Sequence, residues 1–136
     1  MRKEIKEKLL YNKKISLEQA HLARIAPDVP KTQILQYVHN YVCYKFFLNP
    51  QDWGDELLYH LAEKSIEEAI RMKIPFAKES EMATTCGAAG SAAVKVGLLM
   101  TAIQKDFQVE LPVSKMAFAK NTKELGELVY QAMQEK

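Results

Sequence analysis

The stretch that decides the fold is PKTQILQYVHNYVCYKFF, residues 30–47, which predicts the most apolar helix in the first half of the chain. Its apolar residues recur at the three- and four-residue spacing of a buried helix face: Ile34, Leu35, Val38, Tyr41, Val42 and Phe46. Pro30 suits the first position of a helix, where its missing N–H would have no partner in any case. Asn49 and Pro50 are expected to stop the helix.

This helix also carries an aromatic stripe formed by Tyr37, Tyr41, Tyr44 and Phe47. The stripe makes the helix apolar over much of its circumference. Such a helix either lies at the centre of a bundle or is shared with a partner. We favour the central position. In the alternative, the first half of the chain is a dimerisation or docking element.

Two short helices are predicted before this central one. The first places Ile5, Leu9 and Leu10 on one face among Lys and Glu residues. The second begins at SLEQ, residues 16–19, which has the pattern of a capping box. Its apolar residues are Leu17, Ala20 and Ile25. Both helices are short, so each needs a partner to be stable in water.

Two longer helices are predicted after the central one, joined by a long connection over residues 73–90. The first runs from residue 52 or 55 to residue 72. Its inward residues are Leu58, Leu61, Ala62, Ile66, Ala69 and Ile70. The second covers residues 91–106. Its inward residues are Val94, Leu98, Leu99, Ala102 and Ile103. Long connections of this kind are often functional or support neighbouring helices.

The last helix is predicted to begin at NTKE, residues 121–124, a second capping-box pattern. Its inward residues are Leu125, Leu128, Val129 and Ala132. Before it, FQVEL at residues 107–111 alternates weakly and is compatible with a strand, but one strand without a partner is not a sheet. The sequence therefore predicts an all-α fold, a helical bundle of five or six helices.

Composition limits the classes of function. The chain has 136 residues, is 48% apolar and 26% charged, and has a formal net charge of +2. These values are typical of a soluble globular domain, and the net charge is too small to indicate nucleic-acid or membrane binding. Two cysteines fit a reducing compartment. The charged N-terminus is not a secretory signal, and no apolar stretch is long enough to span a membrane. We expect a cytoplasmic protein.

The second half of the chain resembles the acyl carrier protein family. From about residue 55 to residue 136 the order is helix, long loop, helix, FQVELP at residues 107–112, short turn and helix. In that family the corresponding helix ends in a stretch such as FGIELP. The closing NTKELGELV, residues 121–129, is similar to the family's Thr-Val-x-Asp-Leu-x-x-Leu-Val ending. The resemblance implies an acyl-carrier-like four-helix arrangement over residues 51–136, with residues 1–50 as an N-terminal helical extension of the same compact unit.

The resemblance also identifies where a prosthetic group would be attached. Family members carry 4′-phosphopantetheine on the Ser of a Gly-x-Asp-Ser-Leu motif at a helix start, where backbone N–H groups favour a phosphate. Counted back from Phe107 without gaps, that Ser falls on Ala93 and the Asp on Ala92, whereas Ser91 lies two residues early. A carrier would therefore need Ser91 as its attachment site. We favour Ser91 as a helix N-cap, without a cofactor.

No catalytic constellation or metal site is predicted from the remaining polar residues. Cys86 lies in the long connection, where a packed cysteine is the default, and Cys43 lies among apolar helical residues. His39, beside two tyrosines, is expected on a helix surface or in the core. The cysteines and histidines lack the close spacing of zinc ligands.

The function that follows is a non-catalytic, acyl-carrier-like interaction protein that docks on a partner protein or on its own copy. Residues 73–90 and the helix start at Ser91 would form its recognition region. Residues 91–106 carry Lys95 and Lys105 where the family helix is acidic, which indicates a carrier-like fold with another use, as in carrier-related proteins of peptide-modification systems.

Two alternatives remain open. The first is a working phosphopantetheine carrier of acyl or peptidyl groups, modified on Ser91. The second is a small DNA-binding regulator that uses residues 16–38 in a loose helix-turn-helix arrangement. In that arrangement Lys31, Thr32 and Gln33 would lie near the start of the reading helix.

Overall fold

The structure is a computed structural model that describes residues 3–25, 28–48, 57–71 and 92–135. Within these ranges the chain forms six α-helices and no strand. They are α1 (Lys3–Ile25), α2 (Lys31–Lys45), α3 (Leu58–Arg71), α4 (Ala92–Phe107), α5 (Val113–Met116) and α6 (Thr122–Gln134). The predicted all-α bundle is confirmed.

Helix α2 lies at the centre, packed between α1 and α6. It begins one residue after Pro30, whose carbonyl oxygen accepts hydrogen bonds from the backbone N–H groups of Gln33 and Ile34 at 3.0 and 3.1 Å. Tyr41 is fully buried, and its ring meets that of Phe107 edge-on, with centroids 5.1 Å apart. The aromatic stripe of α2 therefore belongs largely to the core, as favoured from the sequence.

Helix α1 differs from the sequence prediction because it is one continuous helix of 23 residues. The predicted helix start at residues 16–19 is wrong. The hydroxyl of Ser16 donates to the carbonyl oxygen of Lys13, 2.8 Å away, and so bonds back to the preceding turn instead of capping a new helix. No Pro or Gly interrupts α1, so nothing in the chain forces a break there.

Helices α3 and α4 pack on each other, and α4 also contacts α1. The start of α3 is joined to the segment before α6, where the N–H of Leu58 donates to the carbonyl oxygen of Lys120 at 2.7 Å. Two predicted inward residues are wrong, since Ile70 and Val94 each expose more than half of their surface. Each of the two residues lies at one end of the arc of apolar residues predicted to face inward on its helix. The neighbouring helices cover the remainder of that arc.

The loop after α4 explains the weak strand pattern of residues 107–111. Gln108 adopts a positive φ of 56°, and the N–H of Val109 donates to the carbonyl oxygen of Gln104 at 3.1 Å, which closes the helix in a Schellman motif. Val109 and Leu111 then turn into the core. The alternation comes from a loop that buries every second residue, and the suggested strand is not formed.

The predicted capping box of α6 is confirmed with one difference. The side-chain oxygen Oδ1 of Asn121 accepts from the N–H of Glu124 at 2.9 Å. The Glu124 carboxylate accepts in return from the N–H of Lys120 at 3.0 Å, one residue earlier than in the usual reciprocal box.

Candidate functional site

The predicted recognition region lies outside the described residues. This applies to residues 73–90 with Cys86, and to Ser91, so their proposed roles stay predictions. The described part of α4 opens at Ala92, which is buried, followed by Ala93, which is exposed. These are the two positions that the ungapped register with acyl carriers assigns to the family's Asp and Ser.

The charges of α4 are arranged differently from the sequence expectation. Lys95 is completely buried, and its Nζ lies 5.7 Å from the centroid of the Phe46 ring. Asp106 is largely covered, accepts a 2.5 Å hydrogen bond from the hydroxyl of Tyr41 and lies 3.8 Å from Nζ of Lys45. Lys95 and Asp106 therefore help to join α4 to α2 and are not charges of a docking face. Lys105 remains exposed, as expected.

A buried polar cluster joins α2 to the first turn of α6. Nδ1 of His39 lies 2.8 Å from Oγ1 of Thr122, and its Nε2 lies 3.7 Å from Sγ of Cys43. A thiol, an imidazole and an orienting hydroxyl in this order are the components of a nucleophilic site. All three side chains are nonetheless more than nine-tenths buried, so a substrate has no direct approach to the sulfur. The cluster is built to hold two helices together, and it places Cys43 in the core as predicted.

Within the described ranges, no three His, Cys, Asp or Glu side chains converge in a way that would hold a metal ion. None of the described helices is both long and apolar enough to cross a membrane.

One surface of α1 points away from the bundle and carries exposed apolar side chains. We call it the outer face of α1. Its large apolar side chains, 39% to 59% exposed, are Leu10, Tyr11, Leu17, Leu22 and Ile25. The opposite side of the helix carries small and polar residues that are buried, Asn12, Ser16, Ala20 and Ala23, together with the half-buried Leu9. Small residues let α2 approach closely, and the larger apolar side chains are left outside.

Hydrogen bonds between α1 and α2 support this orientation. The side-chain amide of Asn40 donates to Oε1 of Gln19 at 3.2 Å and accepts from the amide of Gln36 at 2.8 Å. The contact between the two helices is therefore partly polar, although apolar residues are available on the other side of α1. A helix that packs through its small and polar side has an inverted pattern, and the described residues leave its apolar row exposed.

Positive charge is concentrated on the same helix. The sequence of α1 contains six Lys or Arg residues and three Glu, a net charge of +3, whereas the whole chain carries +2. Lys13, Lys14 and Arg24 are exposed. Along the outer face, Lys14 lies between Leu10 and Leu17 at helical spacing.

One end of the outer face leads into a groove of about 500 Å³ between α1, the segment before α2, the end of α4 and α6. Ile25 belongs to both the outer face and the groove. The groove is lined by both apolar and polar side chains, which include Val29, Tyr130, Met133, Gln108 and Gln134, with Arg24 beside them. Its lining therefore combines apolar surface with one positive charge and hydrogen-bonding side chains.

The charged pair at the end of α3 is a surface feature. Nε of Arg71 donates to Oε2 of Glu68 at 3.1 Å, and Nη2 donates to Oε1. These bonds to Arg71 hold the pKa of Glu68 below its usual value, with a smaller contribution from the positive charge of Lys8 on α1. The same pairing raises the pKa of Arg71. The shifts have a local cause in an i,i+3 ion pair and do not indicate catalysis.

Sequence reasoning missed the outer face because it divided α1 into two helices. A usable signal was present, since Leu10 and Leu17 are seven residues apart while Ser16, Ala20 and Ala23 share the other side. It becomes legible only when residues 3–25 are treated as one helix.

The chain matches no protein-family model, no curated protein and no solved structure.

Proposed function

We propose that this chain is a non-catalytic helical interaction protein that docks on a partner protein through the outer face of α1. The observation that carries the proposal is the inverted pattern of α1, which buries Ser16 and Ala20 and exposes Leu10, Leu17 and Ile25. Single exposed apolar residues are common on any protein, but a row of them along one helix is typical of a binding surface.

A partner that covers this row would remove its apolar surface from water. Removing apolar surface from water contributes about 25 cal/mol per Å². Five large side chains that already lie on a folded helix need no ordering of the backbone, so the conformational entropy that opposes their burial comes mainly from their rotamers. The burial of His39, Cys43 and Thr122 also supports a binding function over a catalytic one.

A carrier-like arrangement of residues 51–136 is part of the proposal. It is supported by the order of α3, α4, α5 and α6 and by the buried Val109 and Leu111 in the segment that resembles the carrier hexapeptide. Gln108 supports it as well, because its positive φ suits the Gly that family members have at this position. The favoured function uses no phosphopantetheine.

The accessibility of the outer face can be tested by cysteine labelling. In a Cys86→Ser background, Leu17→Cys places a thiol on the outer face and Ala20→Cys places a matched thiol on the buried side of the same helix. Cys43 is buried and gives a low background. We expect Leu17→Cys to react with a maleimide about a hundredfold faster than Ala20→Cys, since reaction of the latter requires local opening. Equal slow rates would mean that the chain itself covers the outer face, and docking there would be excluded.

The carrier alternative has its own test. The purified protein is incubated with coenzyme A and a promiscuous phosphopantetheinyl transferase, and its intact mass is measured. The proposed function predicts an unchanged mass. A pantetheine adduct that is lost in Ser91→Ala would show that the chain is a working carrier.

The DNA-binding alternative gains no support from the fold. The first helix of the suggested helix-turn-helix is the final part of the long α1. The second would be α2, which is covered by α1 and α6 beyond its exposed first turn. A DNA-binding protein would be retained on heparin, and its affinity for DNA would fall steeply as the salt concentration rises.

A further inference from the structure

We infer that the occupant of the outer face of α1 is an acidic amphipathic helix of a partner protein, laid along α1 with its apolar side inward. The inference rests on the proposed function and names the chemistry of the partner.

The geometry fits a helix as the occupant. The outer face follows a helix of 23 residues, about 34 Å long at 1.5 Å per residue. Leu10 and Leu17 are two turns apart, and Ile25 follows about two turns later beside the groove. This spacing matches the anchors of a second helix, which recur at three, four and seven residues. The groove would take the last of these anchors.

The charge identifies the partner as acidic. Lys13, Lys14 and Arg24 are exposed on a helix with a net charge of +3. Opposite charges across an interface speed association and exclude wrong partners, whereas like charges oppose it. A second copy of α1 would bring another +3 to the same interface, so self-pairing of this face is disfavoured. A helix rich in Glu or Asp on its flanks compensates the charge instead.

A membrane surface fits less well, although basic amphipathic helices often bind anionic lipids. Lys14, Glu18 and His21 lie within the apolar row, at helical spacing among Leu10, Leu17, Leu22 and Ile25. Insertion of this row into the acyl boundary would take their polar groups with it, which is unfavourable. A partner helix can instead place a carboxylate opposite Lys14 and a hydrogen-bond donor opposite Glu18.

The test uses two fluorescent synthetic peptides with the length of α1 and the same leucine face, one with Glu and one with Lys at its polar positions. Binding to the intact protein is followed by fluorescence anisotropy. We expect the acidic peptide to bind about tenfold tighter or more than the basic one, and to weaken as salt is raised to about 0.15 M. Leu17→Glu should reduce its affinity about tenfold or more, because the carboxylate opposes both the apolar contact and the acidic partner.

Val113→Glu is the matched control, since Val113 is exposed and lies on α5, a different helix, which packs on α6. It should leave the affinity unchanged, and circular dichroism should show that both variants remain folded. Equal affinity for the two peptides, or equal loss in the two variants, would overturn the inference. Cosedimentation with phosphatidylserine vesicles that is lost in Leu17→Glu would replace the partner helix by a lipid surface.

This design separates two failures. If the thiol of Leu17→Cys is freely labelled but the acidic peptide does not bind, the face is open and the chemistry assigned to its partner is wrong. If that thiol is protected in the isolated chain, the proposed function fails as well.

Discussion

Nδ1 of His39 on α2 lies 2.8 Å from Oγ1 of Thr122 at the start of α6, and the contact joins residues that are 83 positions apart in the chain. Both side chains are buried, so neither can turn to water if the other is removed. A buried polar group that loses its partner costs about 1–3 kcal/mol. The contact therefore stabilises the packing of the last helix against the central one.

Thr122→Val keeps the shape of the side chain and removes the hydroxyl. We expect it to lower the free energy of unfolding by about 1–3 kcal/mol, measured by urea denaturation. Thr32→Val, at an exposed position in the first turn of α2, is the control and should change it by less than about 0.5 kcal/mol. Similar effects for the two variants would show that the bond to His39 contributes nothing.

Lys95 provides a second test, because the sequence treats it as a surface charge and the structure buries it against Phe46. Lys95→Glu would place a carboxylate against the negative face of that ring and away from water. We expect a loss of about 3 kcal/mol or more, seen as a large drop in the thermal unfolding temperature. Lys105→Glu makes the same charge change on the exposed side of α4 and should have little effect. If the two variants were equally stable, Lys95 would not be a core residue.

Comparison of α2 with α1 shows what the sequence could determine. In α2, the apolar spacing and the position of Pro30 both indicate the same buried helix, and the structure confirms this helix. In α1, Ser16 begins a plausible cap pattern, but a Ser hydroxyl can also donate to the carbonyl oxygen three residues earlier. The choice between these bonds depends on how α1 packs on α2, which is not encoded locally.

Long-range contacts limited the prediction of the candidate site in the same way. The burial of Lys95 depends on Phe46, which follows the end of α2, far from Lys95 in the sequence. The outer face of α1 becomes visible once the small side of that helix is known to pack on α2. The capping bond between Asn121 and Glu124, by contrast, is a contact within one turn and was predictable.

The crossing of α2 and α6 is tight enough to exclude one methyl group. A Cβ built on Gly126 would lie 2.6 Å from Cδ2 and 3.2 Å from Cα of Leu35. Gly126→Ala should therefore destabilise the protein by about 1–3 kcal/mol despite the better helix propensity of Ala. Gly97→Ala on α4, where no such atom lies within 4 Å, should stabilise it by up to about 1 kcal/mol. Chemical denaturation of both variants checks the prediction. If both substitutions changed the free energy of unfolding in the same direction, the close approach of Gly126 to Leu35 would be contradicted.

The Glu68–Arg71 pair gives a pH dependence of known sign. Because the pKa of Glu68 is lowered in the folded state, its contribution to stability is present above the unfolded value of 4.5 and is lost as the pH falls through the folded pKa. Glu68→Gln should lower the free energy of unfolding slightly at neutral pH, by less than about 1 kcal/mol for so exposed a pair. The difference should vanish in acid. Urea midpoints of the two proteins, measured from neutral pH to below pH 4.5, check this prediction. A stability difference between them that grows on acidification would contradict it.

Gln108 holds a left-handed conformation, with φ of 56°, at the residue that ends α4, and its side chain is exposed. A residue with a Cβ pays about 1 kcal/mol there, whereas Gly does not. Gln108→Gly should raise the free energy of unfolding by about 0.5–1 kcal/mol, since part of the gain is offset by the freer unfolded chain. Gln131→Gly makes the same change at an exposed position within α6 and should lower the free energy of unfolding by about 1 kcal/mol. Urea denaturation should thus give opposite signs for the same substitution. Destabilisation by both would mean that the Gln108 side chain contributes more to the end of α4 than its backbone conformation costs.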